Sequence, residues 1–245
     1  MDKLLYVAMT GASQMMNAQS THANNLANVD TQGFKADFVQ ARSQPLYGET
    51  FATRVFSQAE QPGTDFASGP MQQTNNPLDM AIKGEGFFTV LDEQGEEAFT
   101  REGSFFVDVN GFMRNNKGQI AMGNAGPMII PPYETLEIGV DGSVSIRPLG
   151  QDATALVEID RLKMVNPELE QIEKSQDGLF RRKDQDFEPP AAGVRVQSGF
   201  TEGSNVNPVH SLLSIMSLSR QFELSMKVMS QAETMDQASS QLLRP

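Results

Sequence analysis

The chain has 245 residues, two histidines (His22 and His210) and no cysteine. Imidazole, thiolate and carboxylate are the groups from which metal sites and nucleophilic relays are built. Without a thiol, and with no carboxylate at ligand spacing from either isolated histidine, the sequence offers no metal site and no nucleophile–base pair. Lys83-Gly84-Glu85-Gly86 is a lone Gly-x-Gly between strand-like runs; a dinucleotide fingerprint needs a third glycine and a following helix. Asp92, Glu93, Glu96 and Glu97 flank a turn and read as solvated acids. The reading is of a chain without catalysis, cofactor or metal.

The residues with the clearest physical purpose lie at the two ends. From Leu4 to Val29 there is no Asp, Glu, Lys or Arg, yet Thr10, Ser13, Gln14, Asn17, Asn24, Asn25 and Asn28 keep the stretch polar. Stepping three and four along Leu5, Ala8, Ala12, Met15, Gln19, His22, Leu26 and Val29 gives six apolar residues in eight positions. That is a coiled-coil-like seam. A helix alone on a globular surface carries charge on its outer face. A helix without charge is one enclosed on most sides by protein, much of it from other molecules. It should start near Lys3, with Asp2 as its cap, and run to about Val29. Asp30-Thr31-Gln32-Gly33 then breaks it, Gly33 taking the left-handed conformation that ends many helices.

A second helix is predicted from Asn207-Pro208, a preferred cap and first helical residue, to about Leu243. Its seam passes through Ile215, Leu218, Phe222, Met229 and Ala232, and Arg220, Glu223 and Lys227 form a solvated charge cluster. Eight of the fourteen methionines lie in the two ends (Met1, Met9, Met15, Met16, Met216, Met226, Met229, Met235). Methionine accepts more than one packing arrangement, which suits a surface that repacks against neighbours. Two long helices bracketing the chain are most simply paired with each other.

Between them, residues 35–76 are polar and turn-rich, with apolar patches at Phe51 and Val55-Phe56, and read as an extended connector with one or two strands. From Met80 to about Phe200, short runs such as Phe87-Phe88-Thr89-Val90, Phe105-Phe106-Val107, Val144-Ser145-Ile146 and Val157-Glu158-Ile159 alternate with turn sequences such as Asn110-Gly111, Asn116-Lys117-Gly118 and Asp141-Gly142. Asn-Gly and Asp-Gly favour tight hairpins because they tolerate positive φ, so the middle is expected to be antiparallel. The predicted fold class is α+β: long N- and C-terminal helices paired as a coiled-coil-like unit, with an antiparallel β-rich middle domain. The expected division is 1–34 for the first helix, 35–76 for the connector, 77–203 for the β-rich outer domain and 204–245 for the second helix.

Net charge is −12, which argues against nucleic acid and against an anionic membrane surface. Residues 1–30 and 208–245 together carry net −1, so the charge sits in the middle. No apolar run approaches the roughly 18 residues of a membrane span. Thr10 and Gly11 interrupt the only signal-like stretch, so any export is expected to keep the N-terminus.

Three stretches converge on one family. Ala23-Asn24-Asn25-Leu26-Ala27-Asn28-Val29-Asp30-Thr31-Gln32-Gly33-Phe34-Lys35 resembles the N-terminal motif of bacterial flagellar rod, hook and hook-associated proteins. Pro77-Leu78-Asp79-Met80-Ala81-Ile82-Lys83-Gly84-Glu85-Gly86-Phe87-Phe88, with Thr100-Arg101-Glu102-Gly103-Ser104-Phe105, resembles the opening of their β domain; Glu102 stands where Asn is common. Ser204-Asn205-Val206-Asn207-Pro208-Val209, then Arg220-Gln221-Phe222-Glu223, resembles the C-terminal motif of the rod proteins. Chain length and the Arg-Gln-Phe-Glu run favour the proximal rod over the distal rod or another hook-related protein.

The resemblance implies a structural subunit that leaves the cytoplasm through the flagellar export apparatus without a cleaved signal. It implies helical assembly in the periplasm with copies of itself and with proximal and distal rod proteins, forming the drive shaft that transmits torque. Asn24, Asn25 and Asn28 would satisfy backbone groups where the helix turns out. Gly33 would serve backbone geometry, Phe34 would be an apolar anchor, and Asn205 and Asn207 belong to the C-terminal motif. The competing reading from another class is a secreted binding module whose β domain holds a ligand; stable ligand-binding monomers that need neither terminus would distinguish it.

Overall fold

The computed structural model describes residues 2–45, 55–59, 63–92, 94–150, 156–175, 177–184 and 187–242. The expectations at Met1, Phe51, Glu93 and Leu243 lie outside the described residues. The chain folds as α+β, with one helix at each end and a strand-rich middle. It forms two compact units. One gathers Met1–Val29, Lys35–Phe66 and Val206–Pro245; the other holds Asp30–Phe34 and Ala67–Asn205. Neither helix is long and apolar enough to cross a membrane.

In the first unit, α1 spans Asp2–Ala27 and α2 spans Pro208–Leu242, roughly 39 and 52 Å at about 1.5 Å per residue. α1 ends two residues before the predicted Val29. The Asn28 amide donates to the carbonyls of Asn24 (3.1 Å) and Asn25 (3.2 Å), closing its last turn. α2 starts at Pro208 as read from its cap: the Asn207 side-chain oxygen accepts the His210 amide at 3.1 Å, and its carbonyl accepts the Ser211 amide at 3.0 Å. A cap of this kind contributes about 1 kcal/mol.

Residues 35–66 contribute two antiparallel pairs to this unit. Asp37–Phe38 pairs with Gly63–Thr64, and Ala41–Pro45 pairs with Val55–Ala59. Both pairs pack on α1. Ala41-Arg42-Ser43-Gln44-Pro45 has no period-two alternation, the signal by which a half-buried strand is read. The remainder of the predicted connector belongs to the other unit, where Met71–Gln73 pairs with Phe200–Glu202.

The second unit is built from antiparallel ladders. Its main sheet runs in the order Ile172–Lys174, Phe180–Arg182, Glu97–Thr100, Phe87–Leu91, Ile120–Ala121, Met113–Asn115 and Phe105–Val107, with Met164–Val165 also on Phe87–Leu91. Tyr133–Ile138, Ser143–Pro148 and Val157–Arg161 form a three-stranded sheet, and Met80–Lys83 pairs with Arg195–Ser198. Residues of these strands close one core, in which Met80, Phe88, Val90, Phe105, Met113, Val144 and Ile146 are buried, together with Leu162 beyond the end of Val157–Arg161. Phe88 and Phe105 meet edge to face at 5.6 Å.

The turns repeat one device. The side-chain oxygens of Asp92, Asp108 and Asn115 each accept the amides two and four residues on, at 2.8–3.1 Å. The glycine three residues on, at 95, 111 and 118, has φ between +82° and +86°. Asn and Asp bend their own backbone in this way, and the left-handed glycine completes the hairpin. Asp92 is therefore a turn-former, bonded besides to Arg181 at 2.7 Å. Glu97 pairs with the buried Lys163 at 2.8 Å. Both correct their reading as merely solvated acids.

Candidate assembly interface

α1 and α2 pack against each other, and two cross-contacts fix their sense as antiparallel. Met15 Sδ accepts the Ser225 hydroxyl at 3.8 Å, and the His22 and His210 rings lie 6.4 Å apart at 78°. Of the predicted first seam, Ala12 is buried, and Leu5, Ala8, Met15, Leu26 and Val29 are half-buried. On α2, Ala232 is buried and Ile215, Leu218, Phe222 and Met229 are half-buried. The covered row on α2 extends beyond the apolar residues read from sequence. Ser211, Ile215, Leu218, Phe222, Ser225, Met229 and Ala232 recur at strict steps of four and three, a seven-residue period. Ser211 and Ser225 escape a reading keyed to apolar residues, although the spacing alone marks them.

The outer faces are the unusual part. On α1, Tyr6, Met9 and Met16 are 55–60% exposed; on α2, Val209, Leu212, Leu213, Met216, Leu224 and Met235 are 49–63% exposed. Arg220, Glu223 and Lys227 are exposed beside them. Single exposed apolar residues need no explanation, but a row of large ones along a helix marks an interaction surface.

The motif residues each have a local task. Asn25 is buried, and its carboxamide donates to the Asp37 carbonyl at 2.6 Å and accepts the Asp37 amide at 2.9 Å. It thereby takes the place of a strand neighbour for Asp37–Phe38. Asn28 donates its side-chain amide to the Asn24 carbonyl at 3.0 Å, while the Asn24 side chain is exposed. In the second unit, Gly33 has φ of +67°, and its amide donates to the Glu202 carbonyl at 2.8 Å. The Phe34 ring is half-buried beneath the Lys174 ammonium, 3.9 Å from its centroid. Asn205 donates to the Ala67 carbonyl at 3.1 Å, and Asn207 caps α2.

Sequence reasoning missed the ion pair beneath Gly33. Arg101 and Glu202, 4% and 2% exposed, pair at 3.0 Å. Arg101 also donates to the Gly84 carbonyl at 2.7 Å, and Glu202 accepts the Gly69 amide at 2.9 Å. The Gly-x-Gly segment thus supplies a carbonyl for a buried guanidinium. The partners lie 101 residues apart, so no local pattern announces them. Nearby, Glu102 is buried, accepting from Asn115 at 3.3 Å. Burial pushes its carboxyl up, outweighing the opposing pull of Lys117 and of the Asn116 amide.

The histidines correct a second expectation. They are not isolated from each other, since folding brings them together across the helix pair. Burial first, and the His210 ring second, hold His22 below the ordinary imidazole value. Among the described residues no three His, Asp or Glu side chains gather where a metal ion would be held.

Comparison with known proteins gives these features a class. Residues 5–35 match the family described as flagella basal body rod protein. Residues 81–146 match the flagellar hook protein FlgE/F/G D1 domain. Residues 197–242 match the flagellar basal body rod FlgEFG protein C-terminal region. The class is that of flagellar rod and hook proteins. The flagellar basal-body rod protein FlgF of Escherichia coli (strain K12) is 36% identical over 249 residues, and that of Salmonella typhimurium (strain LT2) 34%, each match covering 99% of both chains. FlgG of Buchnera aphidicola subsp. Schizaphis graminum is 29% identical, over 97% of this chain and 98% of its own. The chain belongs to the flagellar basal-body rod protein FlgF family.

Proposed function

We propose that the chain is a structural subunit of the proximal part of the flagellar basal-body rod, assembling helically through its terminal helices and transmitting torque without a catalytic step. The observation that carries the reading is the row of large apolar side chains that α1 and α2 leave facing outward. A subunit whose outward patch fits a different patch on its neighbour makes a head-to-tail contact that does not close, and the product is a filament. α1 and α2 act as a coiled-coil-like pair within the subunit, and their outer faces are the contact surface between subunits. Partners are copies of this chain and other rod proteins, proximal and distal. The subunit reaches the periplasm through the flagellar export apparatus with its N-terminus kept, a route that the absence of cysteine suits.

The test is a double exchange on the outer face, Leu213→Asp with Met216→Asp, at the chromosomal locus. Both side chains are more than half exposed, so the purified variant should unfold at the same denaturant concentration as the parent. The cells should lose swimming. Swimming at parental speed would sink the reading.

A further inference from the structure

The chain's two imidazoles sit on different helices of one unit, edge to face, with centroids 6.4 Å apart. We propose that His22 and His210 form an acid-sensitive latch: while neutral they hold the end of α1 against the first turn of α2, and when protonated they repel and let that end of the pair part. It rests on the pairing of the two helices stated above.

The surroundings offer the protonated state little compensation. His210 is the third residue of α2, where the aligned peptide dipoles disfavour a cation. His22 is five residues from the end of α1, too far inside for the helix C-terminus to favour its charge, because that effect fades within the last turn. Along α1 from Leu4 to Val29 the only other titratable side chain is Tyr6, and α2 has no other before Arg220. Of the strands packed on α1, Val55–Ala59 carries no ionisable group. Asp37–Phe38 brings Asp37, whose carboxylate accepts the Thr64 hydroxyl at 3.1 Å. Lys35, the nearest base along the chain from this strand, is buried, and His210 is the only charged group among the described residues that acts on the His22 ring. Among the described residues no carboxylate is hydrogen-bonded or ion-paired to either ring.

The sign follows from linkage. His22 is held below the unfolded histidine value of about 6.5, so the unpaired chain binds more protons than the paired one as acid is added. Pairing is then complete above about pH 6.5 and is lost progressively as pH falls below it. In a compartment that equilibrates with the cell's surroundings, mild acid would keep free subunits from presenting a finished helix pair.

The absence of cysteine allows a direct test on the full chain. Ser20→Cys on α1 and Leu213→Cys on α2, both exposed positions, are labelled with a donor and an acceptor, and energy transfer is followed from pH 7.5 to 5.0. The expected result is high transfer at pH 7.5 and at least a threefold loss of the paired fraction by pH 5.0. In the His22→Gln/His210→Gln background the ratio of paired fractions at the two pH values should stay near one, whatever its starting level. An equal acid response in both backgrounds, or none in either, overturns the latch. Low transfer at pH 7.5 in both backgrounds overturns instead the helix pairing on which it rests.

Discussion

At the scale of single residues, Gly33 answers two demands at once. Its φ of +67° lies where side chains other than glycine are strained. A Cβ built there would also stand 2.3 Å from the backbone of Arg101 and Glu102. Gly33→Ala should therefore destabilise the β-rich unit by roughly 3 kcal/mol or more, combining backbone strain with overpacking. Chemical denaturation of the variant measures this. Glu102 gives a prediction with a sign. Burial raises its folded value above that of the unfolded chain, so the folded state keeps its proton longer, and stability falls as pH rises from about 4.5 through the raised value. Glu102→Gln should remove that fall and raise the urea midpoint at pH 7; an unchanged pH profile would count against it. Gly33 and Asn207 were legible in the sequence because glycine at a helix end and asparagine before proline act through their own backbone. Arg101 and Glu202 were not, since a buried pair spanning 101 residues leaves no local trace.

At the scale of elements, the two helices and the main hairpins could be read because each carries a local period or turn signature. Val157–Arg161 opens with β-branched residues at alternate positions, Val157 and Ile159, and the turns at Asn110-Gly111 and Asn116-Lys117-Gly118 name their own conformation. The connector was read as holding one or two strands, but the pairing of Ala41–Pro45 with Val55–Ala59 could not be read, because it is defined by the two strands together and by packing on α1. The seams were legible only in their apolar members. Ser211 and Ser225 complete the seven-residue period of covered positions on α2. Gly11 offers a test of helix propensity: a Cβ there would meet nothing within 4 Å. Gly11→Ala should stabilise α1 by about 1 kcal/mol, read as slower amide exchange across residues 8–15 of the free chain. Unaltered exchange would mean that tertiary packing, not propensity, limits α1.

At the scale of the whole molecule, charge and apolar surface are separated along the chain. The ends are nearly neutral and the middle holds most of the net −12. The apolar rows of α1 and α2 stay uncovered in the isolated subunit. Together with membership of the FlgF family, this division supports the proposal that the helices are finished by neighbouring subunits while the body stays solvated. The most direct measurement uses single cysteines at Leu213 and Met216 in this otherwise cysteine-free chain. Maleimide reaction is timed on free subunits and on isolated basal bodies. The account predicts at least tenfold slower labelling of both positions in the basal body. Labelling at equal rates in the two states would contradict it.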